Sequence, residues 1–269
     1  MSSRNVLLHP VIGTAVVINA GILLLSYFRG LGGVAPLWNL LGEDRIVEWM
    51  QFLCFTAIAV MLAFVAAERW ARKPGVSLAL LGIVGVSVVV ALAALEEISW
   101  FQRVLGVQSP EFFVQNNRQA ETNLHNLALG NSGSVHKTVL LKLIFLVGIT
   151  HNLILPLVAR SRPGVKRLVE SLGLYLPPLS ASIAYLVLVA LSHLLIEHPR
   201  KGELGEMFGA VHYLSTVFMA YFVGYGYAGP AVIDNPGDRK RVAVLFALGM
   251  LFLLMVSWLL GATSSTPVG

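Results

Sequence analysis

VSLALLGIVGVSVVVALAALEEISWFQR, residues 76–103, is the stretch that decides the fold class. Residues 76–95 carry no charge, and an α-helix needs about 20 such residues to cross the hydrocarbon layer. Arg69, Arg72 and Lys73 precede the run, and the adjacent glutamates Glu96 and Glu97 end it. A helix apolar on every face has no side to offer water, so it lies in lipid or deep in protein. The stretch therefore reads as a membrane crossing with a basic entrance and an acidic exit.

The rest of the chain agrees. Hydrophobic residues make up 56% of the 269 positions, charged residues 12%, and the mean hydropathy is +0.75. Soluble domains carry about 25% charge. The net charge of +5 does not point to nucleic acid, because the basic residues sit in short clusters between apolar runs. Those clusters are Arg69–Arg72–Lys73, Arg160–Arg162–Lys166–Arg167 and Arg239–Lys240–Arg241, the pattern of loops facing anionic lipid. The single cysteine, Cys54, falls in an apolar run and reads as a small buried residue.

Working outward from residues 76–103, the chain reads as one all-α, polytopic helical bundle of a single transmembrane domain, residues 1–269. The hydropathy pattern predicts seven spans at about 6–28, 46–68, 76–99, 138–160, 178–198, 205–228 and 241–262. The first is expected to be a retained helix, since no small-residue cleavage site follows it. With the amino terminus inside and the carboxyl terminus outside, eleven basic residues face the cytoplasm and eight the exterior. The positive-inside rule favours that orientation, and the inner (plasma) membrane is the expected location. Ten of the fourteen acidic residues then fall outside.

Two outer connections stand out. The Gly-rich stretch from Gly30 to Asp44 is expected to be a surface loop or a short dip into the bilayer. The longest loop, 101–137, is expected to hold an amphipathic helix between spans three and four. In that helix Ser109 would cap, Pro110 would occupy the first position and Gly130 would end it.

Carboxylates and imidazoles are expensive near lipid, so their convergence on one surface points to ion, proton or metal chemistry. Glu96 and Glu97 close span three, with Gln102 and Arg103 just beyond. Glu121 and His125, with Asn123 between them, stand four apart on the expected loop helix. His193 and Glu197 repeat that spacing at the end of span five, and Glu206 and His212 open span six. Glu48 opens span two, three residues before Gln51. His151 and Asn152 lie near mid-depth in span four.

Three imidazoles with carboxylates are the usual shell of a catalytic Zn²⁺, whereas carboxylate-rich sets suit iron or manganese. The expected ligands are His125, His193 and His212, with Glu197, Glu121 and Asn123 as their supports. Glu96, Glu97, Glu121 and Glu206 are the candidate acids, bases or further ligands. Arg103, Gln102 and Glu48 are candidates for holding substrate. No nucleotide-binding loop or haem motif occurs.

Residues 96–103 (EEISWFQR) followed by 121–126 (ETNLHN) resemble a signature of bacterial multi-pass membrane proteins, which implies no particular activity. A looser likeness runs to the seven-helix membrane hydrolases that include alkaline ceramidases and adiponectin-receptor-like proteins. That likeness implies Zn²⁺ held by three histidines. Their His-x-x-x-His on a late helix is absent here, since His193 is matched by Glu197.

The expected function is thus a membrane-embedded, metal-dependent enzyme acting on a lipid or lipid-linked substrate at the outer leaflet, by hydrolysis or group transfer. Two alternatives stand beside it: a proton- or cation-coupled transporter module, and a structural or assembly subunit of a membrane complex. The transporter reading needs a polar path continuing inward past His151, and the sequence supplies little polarity there beyond Asn152.

Overall fold

The computed structural model describes residues 6–129, 133–135 and 139–263. Its main elements are helices: α1 (Pro10–Gly30), α2 (Ala35–Leu41), α3 (Ile46–Arg72), α4 (Leu78–Glu97), α5 (Gln102–Leu105), α6 (Glu111–Asn116), α7 (Leu141–Ser161), α8 (Pro163–Ser171), α9 (Leu179–Leu195), α10 (Gly202–Phe218) and α11 (Pro236–Thr263). Two two-residue strands, β1 (Ala128–Leu129) and β2 (Gly133–Ser134), pair antiparallel in the long loop.

Five helices are long and apolar enough to cross a membrane: α1, α3 (with α2 leading into it), α4, α7 and α11. The chain thus has the helices of a multi-pass membrane protein. The apolar helix α9 has 17 residues, about 26 Å at 1.5 Å per residue. The fully α-helical part of α10 is equally short, and a π-helical segment, Met219–Val223, continues it.

The centre of the bundle belongs to α10. Twelve of its seventeen residues are buried, and it packs on α1, α3 and α9. Enclosure on all sides relieves it of the need to be apolar towards lipid, so it tolerates Glu206, His212, Ser215 and Thr216. The approach of α9 depends on Gly205 and Gly209, a four-residue spacing of small side chains that lets membrane helices come close. A methyl group on Gly209 would lie 3.2 Å from the Tyr185 hydroxyl, and one on Gly205 would lie 3.6 Å from the His193 ring. In contrast, only Ile83, Ser87 and Ala94 are buried among the twenty residues of α4.

Two expectations for the connections need correction. The stretch after Gly30 contains the short helix α2, whose Leu37, Leu40 and Leu41 are buried in the bundle. The helix in the long loop stops at Asn116 after six residues. Asn117 ends it by using its side chain locally: Nδ2 donates to both Asn123 oxygens, and Oδ1 accepts from the Gln119 amide. Asn side chains compete with helical hydrogen bonding in this way. Ser109 is not a cap: Pro110 holds the N-cap position with no side-chain cap bond, and the Ser109 hydroxyl donates to the Ala120 carbonyl. The expected helix end at Gly130 lies outside the described residues.

The connections also define the two ends of the bundle. Glu48, Glu97 and Gly202 lie at one end, called the acidic end below. Arg69, Arg72 and the start of α4 lie at the other, the basic end. There Arg69 donates to the Pro230 carbonyl and stacks over Tyr227, while Arg72 reaches the Val232 carbonyl.

Candidate functional site

The acidic end is built on a reversal of the chain directly after α4. Ser99, Trp100 and Phe101 take φ values of 48°, 56° and 61°. Three consecutive non-glycine residues in the left-handed region cost about 1–2 kcal/mol each. Such a turn persists only where its surroundings over-determine it.

The EEISWFQR and ETNLHN segments supply those surroundings by bonding to each other. Glu96 accepts from the Trp100 indole at 2.7 Å, the Leu124 amide at 2.7 Å and the His125 amide at 3.2 Å. Glu121 accepts from the Ser99 hydroxyl and from the Arg103 guanidinium. Asn123 donates to Ser99 at 2.8 Å, and Gln102 accepts the Thr122 amide at 2.6 Å. Glu96, Glu121, Gln102 and Asn123 are therefore occupied in clamping the long loop over the helix ends. Glu121 and His125 do not share a helical face, because no helix runs there; the imidazole lies 3.4 Å from Glu96 instead.

Beneath this clamp lies an excess of carboxylates. Arg103 contacts Asp44 at 2.9 Å and Glu48 at 3.3 Å as well as Glu121. Burial alone would lower the Arg103 pKa, but Glu48, Glu121 and Asp44 outweigh it and hold the guanidinium above its usual range. Arg200 is placed alike, 3.2 Å from Glu203 and 3.7 Å from Glu43, and the nearby acids again overcome burial and raise its pKa. Glu97 is the unusual member. It lies within electrostatic range of Glu203, Glu206 and Glu48, with Arg200 as the compensating charge. Carboxylates so grouped make this end of the bundle strongly negative.

The three expected metal ligands do not come together. His125 belongs to the loop clamp. His193 is exposed, with Nδ1 3.0 Å from the Val189 carbonyl oxygen, and its ring packs against Gly205. His212 is seven residues further along α10, about 10 Å deeper, so it does not face His193. The antiparallel register of α9 against α10 puts Tyr185 there instead, stacked on the His212 ring with centroids 4.7 Å apart. Glu197 does not support His193 either, since α9 ends at Leu195 and residues 196–198 continue without helix. Among the described residues, no group of three His, Cys, Asp or Glu side chains is disposed to hold a metal ion. The three-histidine shell does not fit this arrangement.

What residue-by-residue reading missed is a polar file through the bundle interior. His212 Nε2 lies 2.7 Å from Asn152 Oδ1, and Asn152 Nδ2 donates to the Tyr213 hydroxyl at 2.7 Å. Ser182 donates to the same Asn152 oxygen at 3.3 Å. The π-helical turn Thr150–Ile154 within α7 carries both His151 and Asn152, as such turns often do at functional positions. His151 stacks on Tyr213 and lies 3.1 Å from the Tyr175 carbonyl oxygen. Tyr175 is bonded to Thr216 at 2.8 Å, and its ring contacts Tyr221. Tyr221 donates to the Gly173 carbonyl and packs on Tyr227, which lies under Arg69. Towards the acidic end, Tyr185 lies within electrostatic range of Glu206. The available signal was tyrosine placement: six of the seven fall between positions 175 and 227.

No protein-family model, no curated protein and no solved structure matches the chain.

Proposed function

We propose that the protein is a proton- or cation-coupled membrane module. In this reading the carboxylates at the acidic end load the ion, and the buried polar file carries the coupling through the bilayer. The observation that carries it is the continuity of that file, from Tyr185 and His212 through Asn152, Tyr213, His151, Tyr175 and Tyr221 to Arg69. Polar side chains within the membrane are costly and usually mark ion or proton paths. The seven-crossing topology, with the amino terminus inside, belongs to the same reading: α9 and α10 complete the count, and the basic clusters favour the inner face.

Purified protein in liposomes loaded with a pH-sensitive dye tests this. An imposed potential or cation gradient should change internal pH, and Glu97→Gln or His212→Phe should abolish the change. Identical traces from empty liposomes and protein-loaded ones would refute the reading.

A second reading has its own support. Glu97 lies within electrostatic range of Glu48, Glu203 and Glu206, with Arg200 as the compensating charge. That is a suitable environment for acid–base work on a lipid or lipid-linked substrate at the outer leaflet, with or without a divalent metal. Metal analysis of the purified protein, together with turnover of lipid extracts, separates this reading from the first.

A further inference from the structure

A small cavity lies between α1, α9 and α10, halfway along the bundle. Ile12, Ala15, Asn19, Tyr185, His212 and Ser215 are among the residues lining it. Its polar atoms have a definite hydrogen-bonding sense. Asn19 is buried and donates from Nδ2 to the Phe208 carbonyl at 3.0 Å, which fixes the amide orientation. Its Oδ1 is then an acceptor, and it is buried without a partner.

The tautomer of His212 follows from its other neighbour. Asn152 Nδ2 donates to the Gly148 carbonyl at 2.9 Å and to Tyr213 at 2.7 Å, so the Asn152 atom facing His212 is the oxygen. His212 Nε2, 2.7 Å from that oxygen, must carry the hydrogen. In a neutral imidazole the remaining nitrogen, Nδ1, is a bare acceptor. Ser215 adds no donor, because its hydroxyl hydrogen is directed to the His212 carbonyl at 2.7 Å.

Asn19 and His212 both line this cavity, so Asn19 brings a buried acceptor without a partner and His212 a second acceptor, in a lining they share with Tyr185 and Ser215. A buried acceptor without a donor is costly, because it has given up its bonds to water. The missing complement is a small neutral molecule with two donor hydrogens. The cavity volume is about 10 Å³, counted for the centre of a water-sized sphere, which is the room one water molecule needs.

We infer that this cavity binds one water molecule, which donates one hydrogen to Asn19 Oδ1 and the other to His212 Nδ1. The bound water joins α1 to the polar file on α7 and α10, and it makes Asn19 a positioning residue for the His212 ring. The inference rests on the local hydrogen-bond geometry and stands whether or not the protein couples ion movement.

The test is nitrogen-15 NMR of His212 in the full-length protein in lipid bilayers, combined with an experimental structure at a resolution that shows ordered water. The expected result is an Nε2-protonated tautomer whose Nδ1 resonance is that of a hydrogen-bonded acceptor. Density should appear within about 2.7–3.2 Å of Asn19 Oδ1 and of His212 Nδ1. Asn19→Leu should move the Nδ1 resonance towards that of a free acceptor. Ala15→Val, which narrows the cavity and leaves both acceptors in place, should move it the same way. A cavity without density, or an Nδ1 resonance unchanged in both variants, would overturn the inference. Loss of dye response in liposomes with the NMR signature intact would count against the coupling proposal alone.

Discussion

Helices α4 and α10 divide the work of a membrane bundle in opposite ways. Three of the twenty residues of α4 are buried, against twelve of the seventeen of α10. Yet α4 is the helix that hydropathy finds at once, and α10 carries Glu206 and His212 within its first eleven residues. The difference teaches that an apolar sequence marks exposure to lipid, whereas a mixed one marks enclosure by protein. In water the opposite holds, because there the solvent rewards polar surface. The acidic tip of α4 is the exception that joins the two helices, since Glu97 lies beside Glu203 and Glu206 of α10.

Four changes sharpen or break this contrast. The largest effect is expected from His212→Leu, which leaves the buried Asn152 oxygen with only the long Ser182 bond and costs about 1–3 kcal/mol. Thermal unfolding in detergent would show it, while Val89→Leu on the lipid-facing side of α4 should stay within about 0.5 kcal/mol of the parent. If both variants melted alike, the assignment of α10 to the centre would fail.

The glycines offer a matched pair. Gly209→Ala pushes a methyl group to 3.2 Å from the Tyr185 hydroxyl and should destabilise by about 1 kcal/mol. Gly85→Ala meets nothing within 4 Å and should leave stability unchanged or raise it by up to about 1 kcal/mol. Equal shifts in melting temperature would contradict the close α9–α10 packing.

Glu97→Gln relieves like-charge crowding, so it should stabilise the fold slightly while removing function, a trade expected where an active residue is held at a cost. A variant that is less stable and fully active would show that Glu97 is only structural.

The smallest effect concerns pH. Burial, and then the Arg200 charge, lower the His198 pKa below 6.5, and its Nδ1 accepts the Arg200 amide at 3.1 Å. The folded protein therefore binds this proton less readily than the unfolded chain does. Stability from the neutral ring is present above pH 6.5 and declines as the pH falls below it. A small, reversible fall in melting temperature between pH 7 and pH 5 should be reduced in His198→Asn, which keeps an acceptor and cannot titrate.

Much of the candidate site was legible as a place, and little of it as chemistry. Glu48, Glu97, Glu203 and Glu206 do meet at one end of the bundle, as alternating spans require. Their company was not legible. Glu96, Gln102, Glu121 and Asn123 had the residue types of a catalytic set, yet they spend their hydrogen bonds on a left-handed turn that no propensity favours. Tyr175, Tyr185, Tyr213 and Tyr221 were not singled out by the sequence, because a phenol joins a polar file only through the partner its hydroxyl or ring meets.

Hydropathy and charge placement by themselves determined that this chain is helical, with several helices long and apolar enough to cross a membrane and with many of its acids set apart from its basic clusters. Both are properties of a short segment and its solvent, so they can be read locally. The tertiary structure alone decided that α10 occupies the centre, that His193 and His212 sit at different depths, and that Asn152 lies between His212 and Tyr213. Those outcomes depend on the register between helices distant along the chain, which the packing of whole faces sets and no local pattern encodes.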